Sequence, residues 1–260
     1  MRFFFLLLGL SFFLCSCETD LQNLQPKLSR YQVRYMLYPQ MFVPTPGQEV
    51  KLEYNAAGKL WKRHGSTSVV ISGTGFNLIF LPGLYSEVEQ YGSELQVVTK
   101  SENLNYPKRP PRKYFLDGQG RVFKSITYNS NINHPSDTIL YYYGGNKLAY
   151  TFHRNRNILT TKRFYFNHEG NLQETQTYAY DHEYNEILFT ETETFGGYDR
   201  ARNPLKELGL LEEVFLRSLS ENNFSRYTRE RRNYLGYVYE TENRSWVFKY
   251  DEAGNIIFHE

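Results

Sequence analysis

The stretch Phe166-Asn167-His168-Glu169-Gly170-Asn171-Leu172 holds the pattern that decides the fold. An aromatic or apolar residue is followed by Asn or Asp, two variable positions, Gly, one further residue and an aliphatic. The pattern returns at residues 54–60 (YNAAGKL), 116–122 (LDGQGRV) and 250–256 (YDEAGNI), with looser versions at 143–148 and 180–187. Turn chemistry explains it. Asp or Asn opens a type I turn by bonding its own backbone two residues on, and the Gly supplies the positive φ that closes the hairpin. Gly58, Gly120, Gly170 and Gly254 are therefore expected at φ > 0, each at the tip of a β-hairpin.

Working outward from the tips, the segments between them alternate in polarity. Residues 190–195 (TETETF) and 175–180 (TQTYAY) set Thr or aromatics on one face and polar residues on the other, the period of a half-buried strand. A second set of turns falls near 129–135 and 155–157, halfway between the tips. Seven consecutive antiparallel strands follow from about residue 111 to 195. Further strands are expected at 48–54, 59–64, 67–72, 76–81 and 94–100, then at 225–233, 236–242, 245–250 and 255–259.

Two stretches interrupt the meander: a Pro-rich basic loop at 101–113 and residues 199–223 (DRARNPLKELGLLEEVFLRSLSENN). In the second, Asn203 suits an N-cap and Pro204 a first helical position. Leu208, Leu211, Phe215 and Leu219 form an apolar stripe. The spacing predicts one amphipathic helix over about 203–220 covering an open end or edge of the sheet. The expected fold is all-β: a large antiparallel meander making a curved sheet or partly open barrel, with this helix inserted.

Composition agrees. Aromatics make up 17% of the chain, with 23 Tyr and 19 Phe, which favours strands and excludes disorder. A formal net charge of +2 gives no reason to expect nucleic acid as a partner. Two cysteines exclude a disulfide framework.

Both cysteines lie at the N-terminus, in MRFFFLLLGLSFFLCSC (1–17). Arg2 followed by an apolar run from Phe3 to Cys15 has the length of a signal-peptide core, short of the ~20 residues that span a bilayer. Leu14-Cys15-Ser16-Cys17 resembles a bacterial lipobox. That resemblance implies a signal peptide over 1–16, lipidation of Cys17 and a polar tether over 17–30. A single β domain over 31–260 follows. Glu18, Thr19 and Asp20 resemble the export signal of Bacteroidota surface lipoproteins, which places the chain at the outer membrane, held by its lipid.

The hairpin tips resemble the tyrosine-aspartate repeats of Rhs-type proteins, though too few for a long shell. A closer likeness adds Tyr198-Asp199, Asn203-Pro204 and Ser220-Glu221-Asn222-Asn223. Together these resemble a domain-of-unknown-function family of Bacteroidota lipoproteins with a porin-like curved antiparallel sheet. The family brings no catalytic residues.

Candidate chemistry is sparse. His168-Glu169 and His182-Glu183 lack the second His of a zinc helix, and one strand of about ten residues separates them by roughly 30 Å. No nucleophile elbow or phosphate loop is present, and no catalytic, metal or cofactor residue is assigned. The basic clusters at 108–113 and 226–232 read as solvated surface, with Arg229 and Arg231 facing opposite to Arg232. The acids read as turn residues or one polar strand face. Tyr141, Tyr143, Tyr178 and Tyr180 are the candidates for stacking on glycan. The expected function is a non-catalytic envelope lipoprotein in a binding or structural role, with glycan or an envelope protein as partner. The alternative is a surface hydrolase acting on glycan or peptide through a carboxylate pair.

Overall fold

The turns organise the chain as single residues dictate. Asn55 Oδ1 accepts the backbone N–H groups of Ala57 and Lys59, and the Gly58 N–H returns to the Asn55 carbonyl at 2.8 Å. Asp117, Asn167 and Asp251 do the same for Arg121, Asn171 and Asn255. Gly58, Gly120, Gly170 and Gly254 have φ of 70, 76, 87 and 81°. A further such turn runs from Asn233 to Gly236, whose φ is 82°. Arg232 stands there in place of the leading aromatic, so the sequence pattern passed over it.

A computed structural model describes residues 27–37, 45, 47–72, 75–102, 111–129, 132–155 and 157–260. The signal segment, Cys17 and most of the basic loop lie outside the described residues. The strands are β1 (Arg30–Gln32), β2 (Glu49–Tyr54), β3 (Leu60–Ser72), β4 (Gly75–Tyr91), β5 (Glu94–Ser101), β6 (Arg112–Leu116) and β7 (Val122–Asn129). They continue as β8 (Ile132–Gly144), β9 (Lys147–Asn155), β10 (Ile158–Phe166), β11 (Leu172–Asp181), β12 (Glu186–Tyr198), β13 (Phe224–Asn233) and β14 (Val238–Ser245). These fourteen form one sheet in strict chain order, an antiparallel meander that is not closed into a barrel. Strands β6 to β12 are the seven read from the sequence between 111 and 195.

Elsewhere the boundaries move. Residues 59–64 and 67–72 are not two strands but one, because Gly65 takes φ of 83° as a bulge within β3 and not as a turn. The expected strand at 76–81 runs on to Tyr91. The C-terminal strands shrink to a two-residue pair, β15 (Lys249–Tyr250) with β16 (Ile256–Ile257), outside the main sheet. Strand β1, short and ending in a 3-10 turn, was not legible.

Cα partners in antiparallel strands project to the same side, so the register separates the faces. Leu52, Arg63, Ser86, Tyr114, Ser125, Thr151, Phe164, Thr175, Glu193 and Tyr227 mark one buried face. The opposite face carries Lys113–Glu94 at 2.7 Å, Arg232–Glu230 at 2.5 Å and the Lys100–Glu87 pair. Charges thus punctuate this outer face, unlike the continuous apolar band that a membrane-spanning barrel turns to lipid.

The inner face curls around residues 199–223. The expected continuous helix is absent. The chain forms a 3-10 turn at Lys206–Leu208 and one helical turn, α1 (Phe215–Ser218), joined by tight bends. Backbone bonds step back three residues from Leu208 to Leu205, Leu211 to Leu208 and Val214 to Leu211. The buried stripe is therefore Leu205, Leu208, Leu211 and Val214, at the three-residue period of 3-10 geometry. Phe215 and Leu219, expected on the same stripe, are half-buried against a second cluster with Phe164, Leu172 and Phe224. Asn203 does not cap a helix. Its Oδ1 accepts from Leu205 N–H, while Nδ2 donates to the Arg217 and Ser220 carbonyls at 2.7 and 2.9 Å, stapling the two ends of the insertion.

One insertion touches strands from both halves of the sheet, which requires the sheet to wrap it. Glu213 meets Arg63 of β3 at 2.5 Å and accepts from the Tyr31 hydroxyl of β1. Tyr114 of β6 donates to the Leu210 carbonyl. Leu205 to Val214 pack on Tyr31, Val50 and Leu52, with Ile256 and Phe258 from the C-terminal segment. That segment also reaches the N-terminal strand directly: Gln32 N–H donates to the Phe258 carbonyl, and Trp246 Nε1 to that of Arg34. The insertion fills the curl at one end, and residues 246–260 bridge toward its first strand.

Candidate functional site

At the far side of the insertion the inner face turns from apolar to charged. Register places Thr160 and Lys162 on β10, Thr175 and Thr177 on β11, and Glu191 and Glu193 on β12. Arg229 and Arg231 on β13 face Glu242 and Glu240 on β14. Strict alternation of Thr with Glu in 190–194 and of Arg with Glu in 229–231 makes this face, because every second residue points inward.

Each charge has a partner. Glu193 is held by Lys162 at 2.6 Å, Thr175 at 2.7 Å and the Tyr227 hydroxyl at 2.8 Å. Burial alone would raise its pKa, but Lys162 and the two hydroxyls more than offset this and hold it below the usual carboxylate range. Burial and the adjacent Glu193 push the Tyr227 phenol far up, so it stays a donor. Arg231 grips Glu191 through Nε at 3.1 Å and a terminal nitrogen at 2.7 Å, and Arg229 spans Glu240 and Glu242. The expectation that Arg229 and Arg231 are solvated surface is thereby corrected: they sit inside the curl, paired.

Between this face and the insertion lies a cavity of about 390 Å³. Its apolar lining comes from Ile139, Phe164 and Phe189 of the sheet and Leu210 and Phe215 of the insertion. Polar walls bring Asp137 bonded to His153, Arg112 paired with Glu212, and Lys162, Thr160 and Glu191. Tyr114 lines it too, its phenol pushed up to about 12 by burial. Tyr141 completes the wall, edge-on to Phe215 at 6.3 Å between centroids.

The stacking candidates do not form one platform. Tyr141 lines the cavity, and Tyr143 lies under the Arg121 guanidinium with its hydroxyl on the Val122 carbonyl. Tyr178 and Tyr180 project from the other face, opposite buried Ala179. His168 and His182 are exposed in turns at opposite ends of β11. Among the described residues no group of three or more metal-type ligands comes together.

Sequence reasoning missed His153, Asp137, Lys162 and Glu191 as lining residues. Only a curl of the sheet joins β8 to β12 around one space, and no local spacing encodes it. Glu191 and Glu193, about 7 Å apart along one strand face, have the separation of a hydrolytic carboxylate pair. Their chemistry is otherwise. Glu191 is clamped by Arg231, and Glu193 is held ionised where a general acid needs a raised pKa.

A second feature lies at the hairpin tips beyond this charged half. Tyr184 and Ile187 at one tip, and Tyr234, Leu235 and Tyr237 at the next, are exposed, Tyr234 by 70%. The residues of the closer family likeness also find their place. Asp199 bonds Asn223, and Asn222 and Asn171 exchange side-chain and backbone bonds at 2.8 and 3.1 Å. The Ser220 hydroxyl accepts from Leu172 N–H. They are the polar frame that seats the insertion.

No family model matches the chain, and no curated protein matches it in sequence. Among solved structures, the chain is similar to a porin-like protein from Bacteroides vulgatus ATCC 8482 at 14% identity and a TM-score of 0.44, covering 82% of this chain and 86% of that one. It is also similar to a porin-like protein from Bacteroides uniformis ATCC 8492 at 10% identity and a TM-score of 0.47, covering 82% of this chain and 84% of that one.

Proposed function

We propose that the chain is a non-catalytic, lipid-anchored protein of the cell envelope that holds a ligand between its insertion and the charged inner face. The observation that carries this reading is the state of the cavity's carboxylates. Asp137, Glu191 and Glu212 are each engaged by a cationic side chain or histidine, which suits fixing an occupant and not moving protons. The charged outer face supports an attachment through lipid in place of a spanning barrel. Cys17, in its lipobox, is the anchor. Glycan or a partner envelope protein is the class of ligand. Lys27 pairs with Glu207 of the insertion at 3.0 Å. Lys27 lies at the plugged end of the sheet, and the charged half and the exposed tips lie at the other end.

Fractionation tests this. The wild type should remain with membranes until detergent is added and should incorporate an alkyne palmitate analogue. Cys17→Ala should lose the label and leave the membrane fraction. Equal labelling and retention of both proteins would overturn the reading.

A further inference from the structure

The cavity's own chemistry narrows its occupant, given the reading of it as a ligand site. Arg112, Lys162 and His153 are matched on its walls by Asp137, Glu191 and Glu212, and the pairs are already made. Lys162 is tied to Glu193 behind the wall, as Glu191 is to Arg231. A charged ligand that takes Lys162 from Glu193, or displaces Arg231 from Glu191, leaves uncompensated a carboxylate with less than a tenth of its side chain exposed, which is costly. Of the wall carboxylates, Glu212 alone is mostly exposed to water. A wholly apolar ligand would cover these groups without replacing their bonds to water.

A neutral ring bearing hydroxyls meets neither penalty. Each hydroxyl both donates and accepts, so it can bridge an ion pair without dissolving it. The C–H face of such a ring can lie on the aromatic lining formed by Phe164, Phe189 and Phe215. The volume, about 390 Å³, falls within the range of small-molecule sites. We propose that the cavity binds a neutral sugar ring, a pyranoside unit carrying no carboxylate, amine or phosphate.

Saturation-transfer NMR on the full chain in detergent micelles tests the proposal, with two sets of probes. The neutral set is methyl glucoside, methyl galactoside and methyl N-acetylglucosaminide; the charged set is glucuronate and glucosamine. Ile139→Trp fills the cavity from one wall, and Thr160→Trp does so from another should the first variant fail to fold. At least one neutral glycoside should bind, more tightly than either charged probe, and lose at least tenfold in affinity in the filled variant. Charged probes binding more tightly, with the same loss on filling, would overturn the ligand class and leave the cavity standing as a site. Absence of binding by every probe, or binding indifferent to filling, would overturn both.

Discussion

At the scale of single residues, the turn glycines are alike in backbone and unlike in surroundings. Gly120 and Gly254 have open space where a Cβ would stand, whereas at Gly170 a Cβ would sit 2.9 Å from Glu221 Cγ on the insertion. Gly120→Asn should therefore cost well under 1 kcal/mol, because Asn tolerates the left-handed region, and Gly120→Val about 1–3 kcal/mol. Gly170→Asn should cost more than Gly120→Asn, since Glu221 must also move; urea unfolding of the variants would show the order. Glu193 gives a second residue-scale expectation. Its folded pKa is depressed, so its contribution is present above the ordinary glutamate value of about 4.3 and is lost as pH falls through the lower folded value. Thermal stability should decline on acidification below about pH 4.3, and Glu193→Gln should flatten that decline. An unchanged slope in the variant would separate Glu193 from the acid response.

At the scale of elements, the meander was legible and the insertion was not, for one physical reason. A hairpin tip is decided locally by Asn or Asp and Gly, so strands β6 to β12 could be read from their turns. The insertion is decided by what it packs against. Asn203 and Pro204 promise a helix, but the Asn203 amide is spent on the Arg217 and Ser220 carbonyls, and Gly209 lies where a Cβ would meet Ser218 Oγ at 2.8 Å. The signal that was present is the three-residue spacing of Leu205, Leu208, Leu211 and Val214. Asn203→Ala should cost roughly 2–4 kcal/mol, because it removes the amide that donates to the Arg217 and Ser220 carbonyls and accepts from Leu205 N–H in a buried setting. Arg217 belongs to the same element. It is buried over the rings of Phe224 and Trp246 at 4.0 and 4.4 Å, and burial pulls its pKa down to about 9. It ties the insertion to the C-terminal segment. The exposed tips should behave oppositely to this interior: Tyr234→Ser with Tyr237→Ser should leave the unfolding free energy unchanged within about 0.5 kcal/mol.

At the scale of the whole molecule, the cavity exists because a curled sheet closes on an insertion that fills only one end of it. Alternation along 190–194 and 229–231 told which residues share a face, but it could not tell whether that face looks to water or to a lumen. Thr-Glu and Arg-Glu repeats read as solvated when each strand is taken alone, and become an internal charge lattice only once β10 to β14 bend together. The same blindness hid His153 and Asp137. Residues 199–223 lie inside the curl of the sheet, and the buried pair of Arg63 on β3 with Glu213 in the insertion reports on it. A double-mutant cycle with Arg63→Met and Glu213→Met, followed by urea unfolding, tests it most directly. Either single change should destabilise by about 3–5 kcal/mol, the double change should cost far less than their sum, and the coupling should be about 2 kcal/mol or more. Additive effects, with coupling below about 0.5 kcal/mol, would contradict an insertion seated within the curl.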